Sequence, residues 1–264
     1  MIEKTFSKLK KKGEGALIAY VCAGDPTPNE TKDIVNALIK GGADMVEVGL
    51  PFSDPIADGP VIQGAIDRSL RSGMTPDLYF KIISDLDVKV PLLVMTYYNL
   101  IFKRGVKKFV SDCKKSNICG IIVPDLPIEE SKELFSNCKK HGVDLIFFIA
   151  PTTTDPRIKN TLKQASGFLY LVSRLGVTGQ RDDVSSSTGT LINRLSSVKV
   201  PKAVGFGISK KEHAEQVIKS GADGVIVGSA FVNIIAKKEG NFKEQLTQLA
   251  AELKEGCISG YRDR

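Results

Sequence analysis

Glu47 is the residue of this sequence best placed for proton transfer. It stands in the run Ala43-Asp-Met-Val-Glu47-Val-Gly-Leu50, a carboxylate surrounded by apolar side chains. A carboxyl group buried without a partner is costly to ionise, so its pKa should rise toward neutrality, where a general acid/base works best. The run reads as a β-strand, whose side chains alternate between two faces. Glu47 then shares a face with Met45 and Gly49, and Val46 and Val48 take the other. With the valines outward, Glu47 points into the fold. The alternative is a buried glutamate held by a neighbouring hydroxyl or amide. Asp58 follows in the loop Pro51-Phe-Ser-Asp-Pro-Ile-Ala-Asp58-Gly-Pro60. From composition alone it reads as a turn or capping aspartate.

Glycines mark a second kind of chemistry. Val204-Gly-Phe-Gly-Ile-Ser209 and Val225-Ile-Val-Gly-Ser-Ala230 each end a short apolar run in glycine. Glycine lets backbone N–H groups approach an anion closely, and a helix opening at Ser229 would aim its positive end at the same point. A phosphate site is the functional reading, and tight strand-to-helix turns are the alternative. The polar stretch 174–188 is too long for a simple turn and reads as a lid, or else as a disordered connection. His141 and His213 are the only histidines, the cysteines are scattered, and neither a Gly-x-Ser-x-Gly elbow nor a Walker lysine loop occurs. Metal chemistry is not expected, and catalysis, if present, must rest on carboxylates.

These residues need a scaffold that brings separate loops together. Short aliphatic runs at 16–23, 43–50, 91–98, 120–125, 144–150, 168–173, 202–207 and 224–228 alternate with amphipathic stretches from one end of the chain to the other. Their near-continuous hydrophobicity fits buried parallel strands. Helix-ending glycines recur in Lys40-Gly41-Gly42-Ala43-Asp44, Lys140-His141-Gly142-Val143-Asp144 and Lys219-Ser220-Gly221-Ala222-Asp223, the same βα joint three times. Eight βα units could close into a barrel or stay an open sheet. The count of eight and the absence of a GxGxxG turn after the first strand favour a (β/α)8 TIM barrel, as one domain over residues 1–264. Functional groups then belong at the C-terminal ends of the strands.

Composition narrows the partners. The net charge of +7 could serve nucleic acid, but the lysines come in short pairs spread around the chain, as solvated helix faces do. No apolar run reaches the roughly 20 residues that span a bilayer. The basic run Lys8, Lys10, Lys11 and Lys12 before apolar residues 16–23 mimics a secretory signal, yet removing it would delete the first strand. Five cysteines, an odd set without CxxC spacing, fit a reducing, cytoplasmic compartment.

Taken in order, Gly24-Asp-Pro26, the segment from Glu47 to Pro60, Tyr97-Tyr-Asn99, Pro124-Asp125, Arg174-Leu-Gly-Val-Thr-Gly179, Gly205-Phe-Gly-Ile208 and Gly228-Ser-Ala230 resemble the tryptophan synthase alpha family. The resemblance spans nearly the whole chain. It implies a lyase that cleaves indole-3-glycerol phosphate into indole and glyceraldehyde 3-phosphate by a cofactor-free retro-aldol step. It implies that Glu47 is the general acid/base for carbon C3 and the side-chain hydroxyl, and that Asp58 serves the indole nitrogen. Gly179, Phe206, Gly207, Gly228 and Ser229 match the phosphate site. Tyr20, Tyr97, Ile122 and Tyr170 match the indole pocket, and Thr178 matches a lid threonine that reaches the loop aspartate. Asp54 and Pro55 match a loop that meets a beta subunit carrying pyridoxal phosphate in an α2β2 complex. One departure is visible, Leu175 where many relatives have serine.

Overall fold

The structure is a computed structural model that describes residues 1–172, 183–205 and 207–264. Eight parallel strands close into a barrel in chain order. They are β1 (Ala16–Cys22), β2 (Met45–Gly49), β3 (Leu92–Met95), β4 (Ile118–Ile122), β5 (Asp144–Ile149), β6 (Leu169–Val172), β7 (Lys202–Gly205) and β8 (Gly224–Val227). β1 pairs with β8 and completes the ring. The expected (β/α)8 barrel is therefore the observed one.

Helices α1 (Ile2–Lys12), α2 (Thr31–Lys40), α3 (Pro60–Arg71), α4 (Pro76–Ser84), α5 (Tyr98–Arg104) and α6 (Val106–Lys115) accompany the first half. Helices α7 (Lys132–His141), α8 (Asp155–Leu162), α9 (Asp183–Arg194), α10 (Lys211–Lys219), α11 (Ser229–Lys237) and α12 (Phe242–Arg262) accompany the second. Local chemistry starts and stops them. Thr75 accepts from the N–H of Leu78 to cap α4, with Pro76 at its first position. Gly142 ends α7 at φ 65°, a left-handed cap that favours glycine.

Two apolar layers hold the barrel. Val46 and Val48 face outward into the large layer between strands and helices, together with Leu38, Tyr79 and Phe109. Ile18, Met45, Leu93, Ile122, Ile146 and Phe168 face inward. Helix α1 closes the N-terminal end, where Ile2, Phe6 and Leu9 join the inner layer and the Phe6 ring sits 5.9 Å from that of Phe168. Each such side chain contributes roughly 1.5–3 kcal/mol when fully buried. A one-residue slip of β2 would exchange Glu47 with the valines, so the layers fix its register.

Several expected boundaries shift. Residues 96–98 and 123–125 lie beyond β3 and β4, because strand-favouring Thr96, Tyr97, Tyr98 and Val123 continue past the last ladder pair. Tyr98 begins a helix instead of ending a strand. Helix α9 begins at Asp183, so the expected lid stretch 174–188 ends in a helix rather than continuing as a loop to Thr188.

Candidate active site

The inner face of β2 carries Glu47 toward the barrel axis. Met45, two residues earlier, belongs to the inner layer, while Val46 and Val48 belong to the outer one. In register, Glu47 lies between Tyr20 of β1 and Leu93 of β3. Its side chain is 1 % exposed, and neither carboxyl oxygen has a hydrogen-bond partner among the described residues. A supporting hydroxyl or amide, the alternative open in the sequence, is not what holds it. Burial raises its pKa to about 8, with the nearby Asp58 carboxylate adding to the rise. An uncompensated carboxylate would be far costlier here, so the group is held mainly protonated at neutral pH.

Asp58 reaches the same mouth from the loop after β2. The hydroxyl of Tyr97 donates to its Oδ2 at 2.7 Å and accepts the N–H of Ala57 at 3.0 Å. Gln63 of α3 donates to the Asp58 carbonyl at 2.7 Å. The cap of α3 is Gly59, with no side-chain capping bond, so Asp58 is not the capping aspartate that composition suggested. Burial raises the Asp58 pKa, and the Tyr97 bond opposes that rise by favouring the ionised form. The two carboxyls thus differ in kind: among the described residues Glu47 has no hydrogen-bond partner, and Asp58 keeps a donor.

Aromatic side chains flank this pair. Tyr20 and Tyr170 are buried, and their phenols are held well above the usual range by burial and by the charges of Glu47 and Asp58. Close glycines make room for them. A Cβ on Gly49 would lie 2.6 Å from the Tyr20 hydroxyl, and one on Gly205 would lie 2.5 Å from Cε1 of Tyr170. The Phe148 ring lies 4.6 Å from that of Tyr170, and Phe52 lies 5.4 Å from Tyr97. Ile122 is fully buried in the inner layer. Tyr97, expected as a pocket wall, thus also spends its hydroxyl on Asp58.

The glycine corner of β8 has the expected form. Gly228 is the N-cap of α11, which opens at Ser229 and has no acidic residue in its first turn. The free N–H groups and the positive end of the helix dipole suit an anion there. Gly207 holds φ 74°, a backbone conformation a side chain would strain. Phe206, Gly179, Thr178 and Leu175 lie outside the described residues.

Two contacts have no counterpart among the expected site residues. Asp25, fully buried at the exit of β1, takes a two-pronged pair from Arg68 of α3 at 2.8 and 2.9 Å. Asp125 accepts the Tyr98 N–H on both oxygens, at 2.9 and 3.2 Å. Both aspartates stand in motifs, Gly-Asp-Pro and Pro-Asp, that lie just past strand ends, and that position was the available clue.

A cavity of about 1020 Å³ opens at the opposite, N-terminal end, near Phe6, Asp144, Ser166 and Lys202. Its rim lysines include Lys139, in the last turn of α7, and Lys163, the C-cap of α8. Cations at these positions suit the negative ends of the helix dipoles.

Residues 6–258 match the family model described as tryptophan synthase alpha chain. The tryptophan synthase alpha chain of Methanosarcina barkeri is 57% identical over 255 residues, 97% of this chain and 96% of that one. A chain of the tryptophan synthase complex from Pyrococcus furiosus superposes with a TM-score of 0.82 at 38% identity, covering 91% of this chain and 98% of that one. A chain of tryptophan synthase from M. tuberculosis gives a TM-score of 0.88 at 32% identity, covering 97% and 98%. With a matching barrel, a matching full-length sequence and paired carboxyls at its mouth, this chain belongs to the tryptophan synthase alpha chain family.

Proposed function

We propose that Glu47 and Asp58 divide the proton transfers by which this chain cleaves indole-3-glycerol phosphate into indole and glyceraldehyde 3-phosphate. That cleavage is the reaction of the family to which the chain belongs. The observation that carries the division of labour is the contrast between the two carboxyls, one unpartnered with a pKa near 8 and one hydrogen-bonded by Tyr97.

Protonated Glu47 delivers its proton to C3 of the indole ring, which leaves positive charge on the ring system. Asp58, ionised, accepts the ring N–H and offsets that charge. Glu47, now a carboxylate, removes the proton of the hydroxyl on the carbon attached to C3. The C–C bond breaks, its electron pair returns to the ring, and the hydroxyl-bearing carbon becomes the aldehyde of glyceraldehyde 3-phosphate. Glu47 ends protonated, as it began.

The amides near Gly207, Gly228 and Ser229, with Gly179 and Phe206, would hold the phosphate across the mouth from Glu47. Tyr20, Tyr97, Ile122 and Tyr170 would line the indole pocket, and Thr178 would reach Asp58 from the lid. No step on this chain calls for a cofactor, and pyridoxal phosphate belongs to the beta subunit in an α2β2 complex. The loop bearing Asp54 and Pro55 is the side on which that subunit would dock. Residues 1–264 act as one domain, in the cytoplasm.

Supplied with indole-3-glycerol phosphate and no cofactor, the purified chain should release indole and glyceraldehyde 3-phosphate in a one-to-one ratio, faster when a beta chain is added. Loss of substrate without equal release of both products would contradict the reading.

A further inference from the structure

Asp125 stands in the Pro124-Asp125 motif, to which the catalytic cycle above gives no role. It is half-buried in the loop after β4, and among the described residues its carboxylate accepts the Tyr98 N–H on both oxygens. That N–H belongs to the peptide that links Tyr97 to Tyr98. Tyr97 is the N-cap residue of α5 and makes no side-chain capping bond, since its rigid ring carries the hydroxyl away from its own backbone to Asp58 and Ala57. The orphan N–H is therefore satisfied from the loop after β4.

On its other side, Tyr97 follows Thr96, whose N–H donates to Ile122 at 3.1 Å and whose hydroxyl donates to Leu50 at 3.1 Å. The Tyr97 backbone is thus pinned at both flanking residues, to the exits of β2 and β4. A tyrosine side chain is rigid apart from two torsions, so the pinned backbone decides where its hydroxyl falls. We infer that Asp125 is a positioning residue that acts on Asp58 through Tyr97, holding the phenol where it can bond the carboxylate. The inference rests on the reading of Asp58 as the group that serves the indole nitrogen.

The described groups that face Asp58 are Tyr20 and Cys22 from β1, Glu47 from β2, Tyr97 from the β3 exit and Tyr170 from β6. None of these carries a positive charge. The Tyr97 bond is the contribution among them that favours ionised Asp58. Slackening that bond by removing Asp125 therefore raises the Asp58 pKa. A residue that merely capped α5 would lower stability and leave the pH profile alone.

The test is a double-mutant cycle on the full chain, following kcat/KM for indole release against pH. Asp125→Ala should lower kcat/KM about tenfold and move the acid limb to higher pH. In a Tyr97→Phe background the same change should have no further effect, since the route through the hydroxyl is already cut. Asp125→Asn keeps one acceptor oxygen and should restore most of the rate; it also supplies the cycle if the alanine variant does not fold. Fully additive losses, or an unmoved acid limb in Asp125→Ala, would overturn the inference. Asp58→Asn, assayed alongside, separates the two readings. If it keeps the parent rate, the role of Asp58 falls and the inference with it; if it is inactive while the cycle is additive, only the inference falls.

Discussion

The Tyr97 hydroxyl donates to Asp58 Oδ2 at 2.7 Å, so the exit of β3 and the loop after β2 meet at the C-terminal end of the barrel. A hydrogen bond to a charged group contributes about 1.5–3 kcal/mol. Here it favours the ionised form against a burial that favours the neutral one.

Tyr97→Phe removes that donor and keeps the ring beside Phe52. The Asp58 pKa then rises, so the acid limb of the kcat/KM profile should move to higher pH. The rate at neutral pH should fall about 10- to 100-fold, by the energy of one charge-assisted bond. A pH series of initial rates reads both effects, and a profile that keeps its limb would show that Tyr97 does not tune Asp58.

Glu47 links stability to pH. Its folded pKa of about 8 lies above its ordinary value of 4.5, so between those values the native state binds more protons than the unfolded chain. Its contribution is full below about pH 4.5 and is lost as pH rises through 8. Glu47→Gln cannot ionise, so it should melt higher than the parent at pH 8–9, by at least about 2 °C, with the gap shrinking toward pH 5. Parallel melting curves across that range would mean the carboxyl is not sequestered.

The pair between Asp25 and Arg68 ties the exit of β1 to α3, the helix that Asp58 precedes by two residues. Ser69 of α3 and Ser72, its C-cap, add bonds to the carbonyls of Ala23 and Gly24. Arg68→Leu leaves Asp25 buried without its partner and should cost about 3 kcal/mol in urea unfolding. A cost below about 1 kcal/mol would mean that water reaches Asp25 freely.

Gly205→Ala tests how closely Tyr170 approaches the strand beside it. The added methyl would lie 2.5 Å from Cε1 and 2.6 Å from the hydroxyl oxygen of that ring, so the ring must move. The expected result is a fall in kcat/KM of at least about tenfold. An unchanged rate would show that the Tyr170 position does not matter to the reaction.

Much of this was legible in the sequence because its physics is local. Alternation in β2 placed Glu47 opposite Val46 and Val48, and the Gly228-Ser229 joint announced a helix start. What depended on long-range contact was not legible. Asp25 and Arg68 are 43 residues apart, and Tyr97 and Asp58 are 39 apart, with no spacing rule to join them. Strand ends were overrun at Tyr98 and Asp125 because strand-favouring Thr96, Tyr97, Tyr98 and Val123 continue where the ladder stops. The cap of α10 is Lys210, one residue beyond the Ser209 that a capping preference would choose.

Indole release by Glu47→Gln, measured in a single turnover, tests most directly whether the buried carboxyl moves the protons. Glutamine keeps the size and the inward aim of the side chain but has no proton to give to C3. The substrate should still bind with its ordinary affinity while indole release falls to background. Release at the parent rate from the bound substrate would place the proton transfer on another group.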